Sequence, residues 1–313
     1  MLLLLNMDRG VAPEKIAIVH DSASSLHNEI TMANYPNLYE VPFTVTATTG
    51  DQTKDWIDNP FQSDAEKADF INDLATTQMS TSQPNPNAYK KVFEDIISKG
   101  ITEIAVVPMS RGLSGSINSA ELAALALRNE ANIVVADCKT VSVGQGLLIT
   151  QAEIENKSGD FDDAAQLVGR VEELSKQVYV AQAFSSLEHL RKGGRIGLAS
   201  SMIAGVLGII PIIGTNEEGK LVPIDKKRGW KKSLESIVQH VSENVGQKAV
   251  RLALVHFESD QLDNLREEIK DRFVIATDKD GNEYDVMECK ENMVTAAHSG
   301  PDAVGLGALI VDR

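Results

Sequence analysis

Cysteine is nearly absent from this chain: there are two in 313 residues, Cys138 and Cys289, without partner spacing. That speaks against a disulfide framework or a zinc site, and two isolated thiols fit a reducing cytoplasmic setting. Long apolar runs are lacking as well. The longest, residues 199–213, is broken by Gly205, Gly208 and Pro211 and is too short and interrupted to span a bilayer. The apolar start MLLLL has no basic flank and is too short for a signal h-region, and Met7 is an alternative start. Positive charge is in short supply. Thirty Lys and Arg against 45 Asp and Glu leave a net charge of -15. This argues against nucleic acid or an anionic membrane as the main partner and leaves at most transient membrane contact. The local exception is DKKRGWKK at 225–232, readable equally as a solvated helix start or as a docking surface. No internal repeat and no low-complexity segment is present.

The length suits two domains rather than one core. Short β-rich runs at 16–20 (IAIVH), 104–109 (IAVVPM) and 133–136 alternate with helical segments at 64–75, 86–98, 118–128 and 147–154. Residues 41–45 form a further extended piece. Asp64 is placed to cap the first helix. Such alternation predicts a doubly wound, mostly parallel sheet over residues 16–160. Ligands of such sheets lie at the carboxyl ends of the strands, where Asp21, Ser22, Ser110, Ser114 and Asp137 fall. Beyond a polar break at 157–160 the pattern changes. A helix at 161–177 and a strand at 178–184 are followed by an apolar helical stretch at 199–207 and a hairpin turning at 217–219. A helix at 230–241, a strand at 251–257 and a helix at 260–273 complete it. This predicts a separate α+β domain over residues 161–313.

Four polar constellations stand out. RGLSGS at 111–116 lies between a strand and a helix N-terminus, where unpaired amides and the helix dipole favour an anion. It has no Lys, so a carboxylate held by hydroxyls and amides fits better than a nucleotide phosphate. TSQP at 81–84 reads as a loop, because the residue before Pro is pushed to extended geometry. Alone it would be a helix cap; paired with the Ser114 loop it becomes a candidate for binding. GGR at 193–195 presents a guanidinium suited to a carboxylate or phosphate. HSGP at 298–301 places His298 before a small, apolar stretch. Ser114 and His298 also permit a second reading, a serine-dependent lipid hydrolase or acyltransferase, although no orienting acid is evident and the spacing departs from G-x-S-x-G. The run of Met202, Ile203, Val206, Leu207 and Ile210 among glycines reads either as a buried helix or as the wall of a narrow apolar tunnel.

Several motifs together resemble one family. IAIVHDS at 16–22, VP at 41–42, TSQP at 81–84, LSGS at 113–116, ADC with SVGQG at 136–146, LRKGGRIG at 190–197 and HSGP at 298–301 occur in the order of the DegV family. So do the pieces at 209–211, 219–223 and 227–232. The DegV proteins are the bacterial fatty-acid-binding proteins that serve a fatty-acid kinase. The resemblance implies the two-domain EDD fold, with a long-chain fatty acid in a buried tunnel between the domains. It implies a carboxylate held by Thr81 or its neighbour Ser82 and by Ser114 with Gly115, close to Arg195 and His298, and an acyl tail against Met202, Ile203, Val206, Leu207 and Ile210. It implies no catalytic residue, metal or cofactor in this chain. The bound acid is presented to the kinase's catalytic subunit, which phosphorylates it with ATP to the acyl phosphate, a step feeding phospholipid synthesis. Asp302 stands where the family often has glycine, and the loop 51–64 is longer and more polar than the family's usual insert.

Overall fold

The computed structural model describes residues 15–26, 35, 37–61, 63–202 and 208–311. The alternative start at Met7 and the tunnel candidates Ile203, Val206 and Leu207 lie outside them, as does the side chain of Met202.

The first sheet is parallel, with strand order β2 (Leu38–Val41), β1 (Ile16–Asp21), β6 (Glu103–Val107) and β7 (Asn132–Val135). Every residue of β1 is buried, as a strand covered on both faces requires. The period of two divides it. Ala17 and Val19 join Tyr89, Phe93 and Ile96 of helix α2 (Pro86–Ser98) and Ala120 and Ala123 of α3 (Ser116–Ala126). Ile16 and Ile18 face Leu147 and Leu148 of α4 (Val143–Lys157), in a cluster shared with Leu167 and Val171 of α5 (Ala164–Leu174).

The large sheet runs β10 (Leu221–Arg228), β9 (Ile209–Thr215), β8 (Val178–Ala183), β14 (Ala303–Ile310), β11 (Ala249–Phe257) and β12 (Val274–Ile275), with β13 (Met287–Lys290) also paired to β11. Its pairs are antiparallel except for β12 and β13, which run parallel to β11. One face packs on α7 (Trp230–Val245) through Leu234, Ile237 and Val241. The other contributes Ala253, Val255 and Leu309 to the cluster that holds α4. Helix α4 is thus sandwiched between the two sheets. A Cβ on Gly307 of β14 would lie 3.1 Å from Val143, so the central strand stays small to let this helix approach.

A third sheet, β4 (Gln52–Ile57), β3 (Thr44–Thr49) and β5 (Gln78–Ser82), is antiparallel and carries α1 (Asp64–Thr76). It corrects two expectations. Thr81 and Ser82 are strand residues rather than loop residues, and the polar segment after Asp51 forms a strand. Only Trp56 of β4 is buried, edge-on to Phe70 of α1 at 5.6 Å. The helix cap is Ser63, which accepts from the Glu66 amide at 3.1 Å, and not Asp64. The extended piece at 41–45 is divided between β2 and β3. The apolar stretch at 199–207 begins as a 3-10 turn, Gly197–Met202, where an α-helix was expected. The basic run at 225–232 begins on edge strand β10 and only then enters α7, and Lys227 pairs with Asp225 at 2.8 Å.

Candidate functional site

Most polar residues at the carboxyl edge of the first sheet have other work. The buried carboxylate of Asp21 accepts the Met109 amide at 3.1 Å and Gln145 Nε2 at 3.0 Å. Burial holds that carboxyl above its ordinary range. Ser22 donates to Asp58 at 2.6 Å, and Ser110 to the Gly219 carbonyl at 2.8 Å, clamping the β9–β10 turn. Asp137 accepts the amides of Arg111 and Lys139, both at 3.2 Å. These groups fix loops. Ser114 is the exception that reaches open space.

A cleft partly open to solvent lies where the three sheets meet. Its apolar wall includes Ala23, Phe43, Met109, Leu113, Val141, Phe184, Leu190, Leu221 and Val294. Its polar groups include Thr81, Ser114, Arg195 and His298. Residues from both sides of position 160 line it.

Each of the four polar groups is set by its own element. Thr81 projects from β5, and its Oγ1 lies 2.9 Å from His298 Nε2, across 217 residues of sequence. Ser82, next along the strand, is exposed and does not line the cleft, as alternation along a strand requires. Ser114 Oγ accepts the Ser116 amide at 3.2 Å at the start of α3, which leaves its hydroxyl hydrogen for a guest. Gly115 lies behind it. A Cβ there would come within 2.5 Å of the Gln83 amide, so the glycine permits that close approach.

Arg195 is exposed at the rim, with Nη1 donating to the Gly193 carbonyl at 2.7 Å and Nε reaching Leu113 O at 3.5 Å. It also borders an adjoining cleft with Lys220.

His298 ends α9 (Met293–Ser299), and its ring lies against the Gly193 backbone: a Cβ on Gly193 would come within 2.2 Å of Nδ1. Its pKa is pushed down to about 4, first by burial and then by the positive charges of Arg195 and His189. At neutral pH the ring is therefore uncharged, and Arg195 carries the positive charge among these four groups.

Ser114 and His298 are not coupled to each other. Each hydrogen-bonds elsewhere, and His298 Nδ1 is buried with no partner among the described residues. The orienting acid of a nucleophilic triad is not in place.

Of the tunnel candidates only Ile210 is described together with its side chain. It packs with Leu234 and Ile237 on the α7 side of the large sheet and is not part of the cleft wall. Strand alternation on β9 decides this, since Ile213, of opposite parity, joins the cluster of Phe184 and Leu190 nearer the cleft. Sequence reasoning missed Gln182 and Glu291, which line the cleft with Ser299 of the HSGP motif as a second polar group. Nothing in the sequence neighbourhood of Gln182 or Glu291 marks them, because they meet only through the pairing of β8 with β14 and the folding back of α9.

A protein-family profile named DegV, described as an uncharacterised protein family, matches residues 15–311. The chain belongs to the DegV family. A DegV domain-containing protein of Caldanaerobacter subterraneus subsp. tengcongensis is 30% identical over 301 residues, covering 94% of this chain and 98% of that protein. Among solved structures, a fatty-acid-binding DegV family protein from Thermus thermophilus superposes with a TM-score of 0.79 at 23% identity, over 95% of this chain and 100% of the other. The Streptococcus pneumoniae fatty acid kinase (Fak) B3 protein loaded with linoleic acid gives 0.76 at 20% identity, over 95% and 100%. These likenesses establish the DegV fold, and the four motif residues of this DegV chain meet at one cleft within it. Among the described residues no helix is long and apolar enough to cross a membrane. Nor do any three or more His, Cys, Asp and Glu side chains among them form a group that could hold a metal ion.

Proposed function

We propose that this DegV protein binds a long-chain fatty acid in the cleft and presents its carboxylate to a partner fatty-acid kinase in the cytoplasm. The observation that carries the reading is the convergence of Thr81, Ser114, Arg195 and His298 at a cleft whose remaining wall is largely apolar. Each methylene removed from water contributes about 0.8 kcal/mol. A carboxylate taken out of water must be hydrogen-bonded or paired. The free hydroxyl hydrogen of Ser114, the Thr81–His298 pair and the rim guanidinium of Arg195 meet that need without a buried unpaired charge. Ser82, on the outer side of β5, and Gly115, behind Ser114, support the site rather than touch the ligand. Arg195, with two of its donors already used and the rest open to the rim, is placed where a phosphoryl group would arrive from outside. The kinase supplies the ATP and the chemistry; the DegV protein contributes orientation and shelter of the tail.

Native mass spectrometry of the purified protein, followed by extraction and identification of retained lipid, tests the reading. One fatty acid per chain is the expected result. A protein that stays empty after incubation with mixed fatty acids refutes it. Ser114→Ala is expected to lower fatty-acid affinity by about tenfold to a hundredfold, since one hydrogen bond to a charged group is worth about 1.5–3 kcal/mol. The thermal midpoint of the empty protein should fall by no more than about 4 °C, the cost of losing the Ser116 amide's acceptor at the start of α3. Unchanged affinity in this variant removes Ser114 from the site.

A further inference from the structure

The cleft wall contains a polar group that the binding of a plain alkyl chain would leave unused. Glu291 is 5% exposed and lines the cleft between β13 and α9. One of its carboxyl oxygens accepts Gln182 Nε2 from β8, and the other is bonded to the Ser299 hydroxyl at the end of α9. Gln182 lies over the central strand, where Gly305 makes room for it: a Cβ there would approach its side chain to 3.0 Å.

Burial raises the Glu291 carboxyl above its ordinary range. Both of its oxygens are already engaged, one by Gln182 Nε2 and the other by the Ser299 hydroxyl, which also lies 3.3 Å from the Gly300 carbonyl. What remains is the second amide hydrogen and the carbonyl of Gln182, which make no other hydrogen bond to a described residue. A saturated tail would press methylenes against this amide and satisfy neither group, which is costly for a buried polar atom. A hydroxyl on the tail satisfies both, accepting from the amide and donating to its carbonyl; an oxo oxygen satisfies the amide hydrogen alone. A site built to hydrogen-bond a hydroxyl discriminates far more sharply than one that only measures length.

Resting on the fatty-acid reading above, we propose that the cleft selects an acyl tail bearing an oxygen along its length, a hydroxy or oxo fatty acid, whose oxygen is met by Gln182 beside Glu291.

The test is competition on the delipidated full-length protein. Radiolabelled stearate is displaced by stearate itself, by monohydroxystearates with the hydroxyl at successive positions, and by the matching oxostearates. One isomer, or a few adjacent ones, is expected to compete about tenfold better than stearate. That preference should fall to parity or below in Gln182→Met and in Glu291→Leu; the first keeps side-chain length and guards against a folding defect in the second. If stearate binds and no oxygenated isomer outcompetes it, the proposal is overturned while the fatty-acid reading stands. A preference that survives in both variants also overturns it, because the oxygen then lies elsewhere. If no acid binds at all, the fatty-acid reading fails and this inference with it.

Discussion

At the residue scale, His298 joins the binding group to the stability of the fold. Its ring is uncharged because burial and the nearby Arg195 and His189 all oppose protonation, giving a pKa of about 4 against an ordinary 6.5. A base whose folded pKa is lowered contributes stability that is fully present above pH 6.5 and is lost as pH falls toward 4. The loss amounts to about 3 kcal/mol. Urea midpoints measured between about pH 4 and pH 7 should therefore fall on the acid side, and His298→Gln should flatten that slope; an unchanged slope would place the titration elsewhere. Such a pKa is not legible in a sequence. HSGP reads as a histidine in a turn, where the structure has it in the last turn of helix α9, and its neutrality comes from Gly193, Arg195 and His189, all more than a hundred residues away. Asp302 is a smaller case. It occupies φ 64°, the left-handed region where glycine is the easy choice and Asp is tolerated, which accounts for glycine as the family's frequent residue there.

At the scale of elements, one carboxylate ties three of them together. Asp58, just after β4, accepts the Ser22 hydroxyl at 2.6 Å with Oδ2 and the Met293 amide at 2.7 Å with Oδ1. Ser22 Oγ in turn accepts the Phe43 amide at 3.0 Å. The end of β1, the entry to the small sheet and the first turn of α9 therefore share a buried joint, and α9 carries His298. Asp58→Ala should destabilise the protein by about 2–4 kcal/mol, since it strands buried donors. Hydrogen exchange in β3, β4 and β5 should accelerate first, and protection equal to the parent's would show that the joint does not hold that sheet. The parallel sheet was readable because its strands are continuous apolar runs flanked by helical periodicity. The small sheet was not. β4 reads QTKDWI with one buried side chain, and β5 reads QMSTS, so backbone pairing to β3 makes them strands where side-chain pattern does not. β14 escaped for a related reason: AVGLGALI is small because helices press on both of its faces, and small residues carry little strand signature.

At the scale of the whole molecule, the two large sheets unfold together or not at all, because α4 gives its apolar surface to both. Leu147 and Leu148 lie in one cluster with Ile16 and Ile18 of the first sheet and with Val255 and Leu309 of the second. Separating the halves would expose that helix and open the cleft at once. A ligand seated in the cleft therefore stabilises the entire chain, by RT ln(1 + [L]/Kd), about 2.7 kcal/mol at a hundredfold excess over Kd. For a chain of this size each kcal/mol moves the midpoint by about 2 °C. Delipidated protein should accordingly melt in one calorimetric transition, and oleate at a hundredfold excess should raise that transition by about 5 °C without splitting it. The gain should shrink in Ser114→Ala by the free energy that variant loses in binding. Two resolved transitions, with oleate moving only one of them, would mean that the shared helix does not couple the sheets and that the cleft belongs to one half alone.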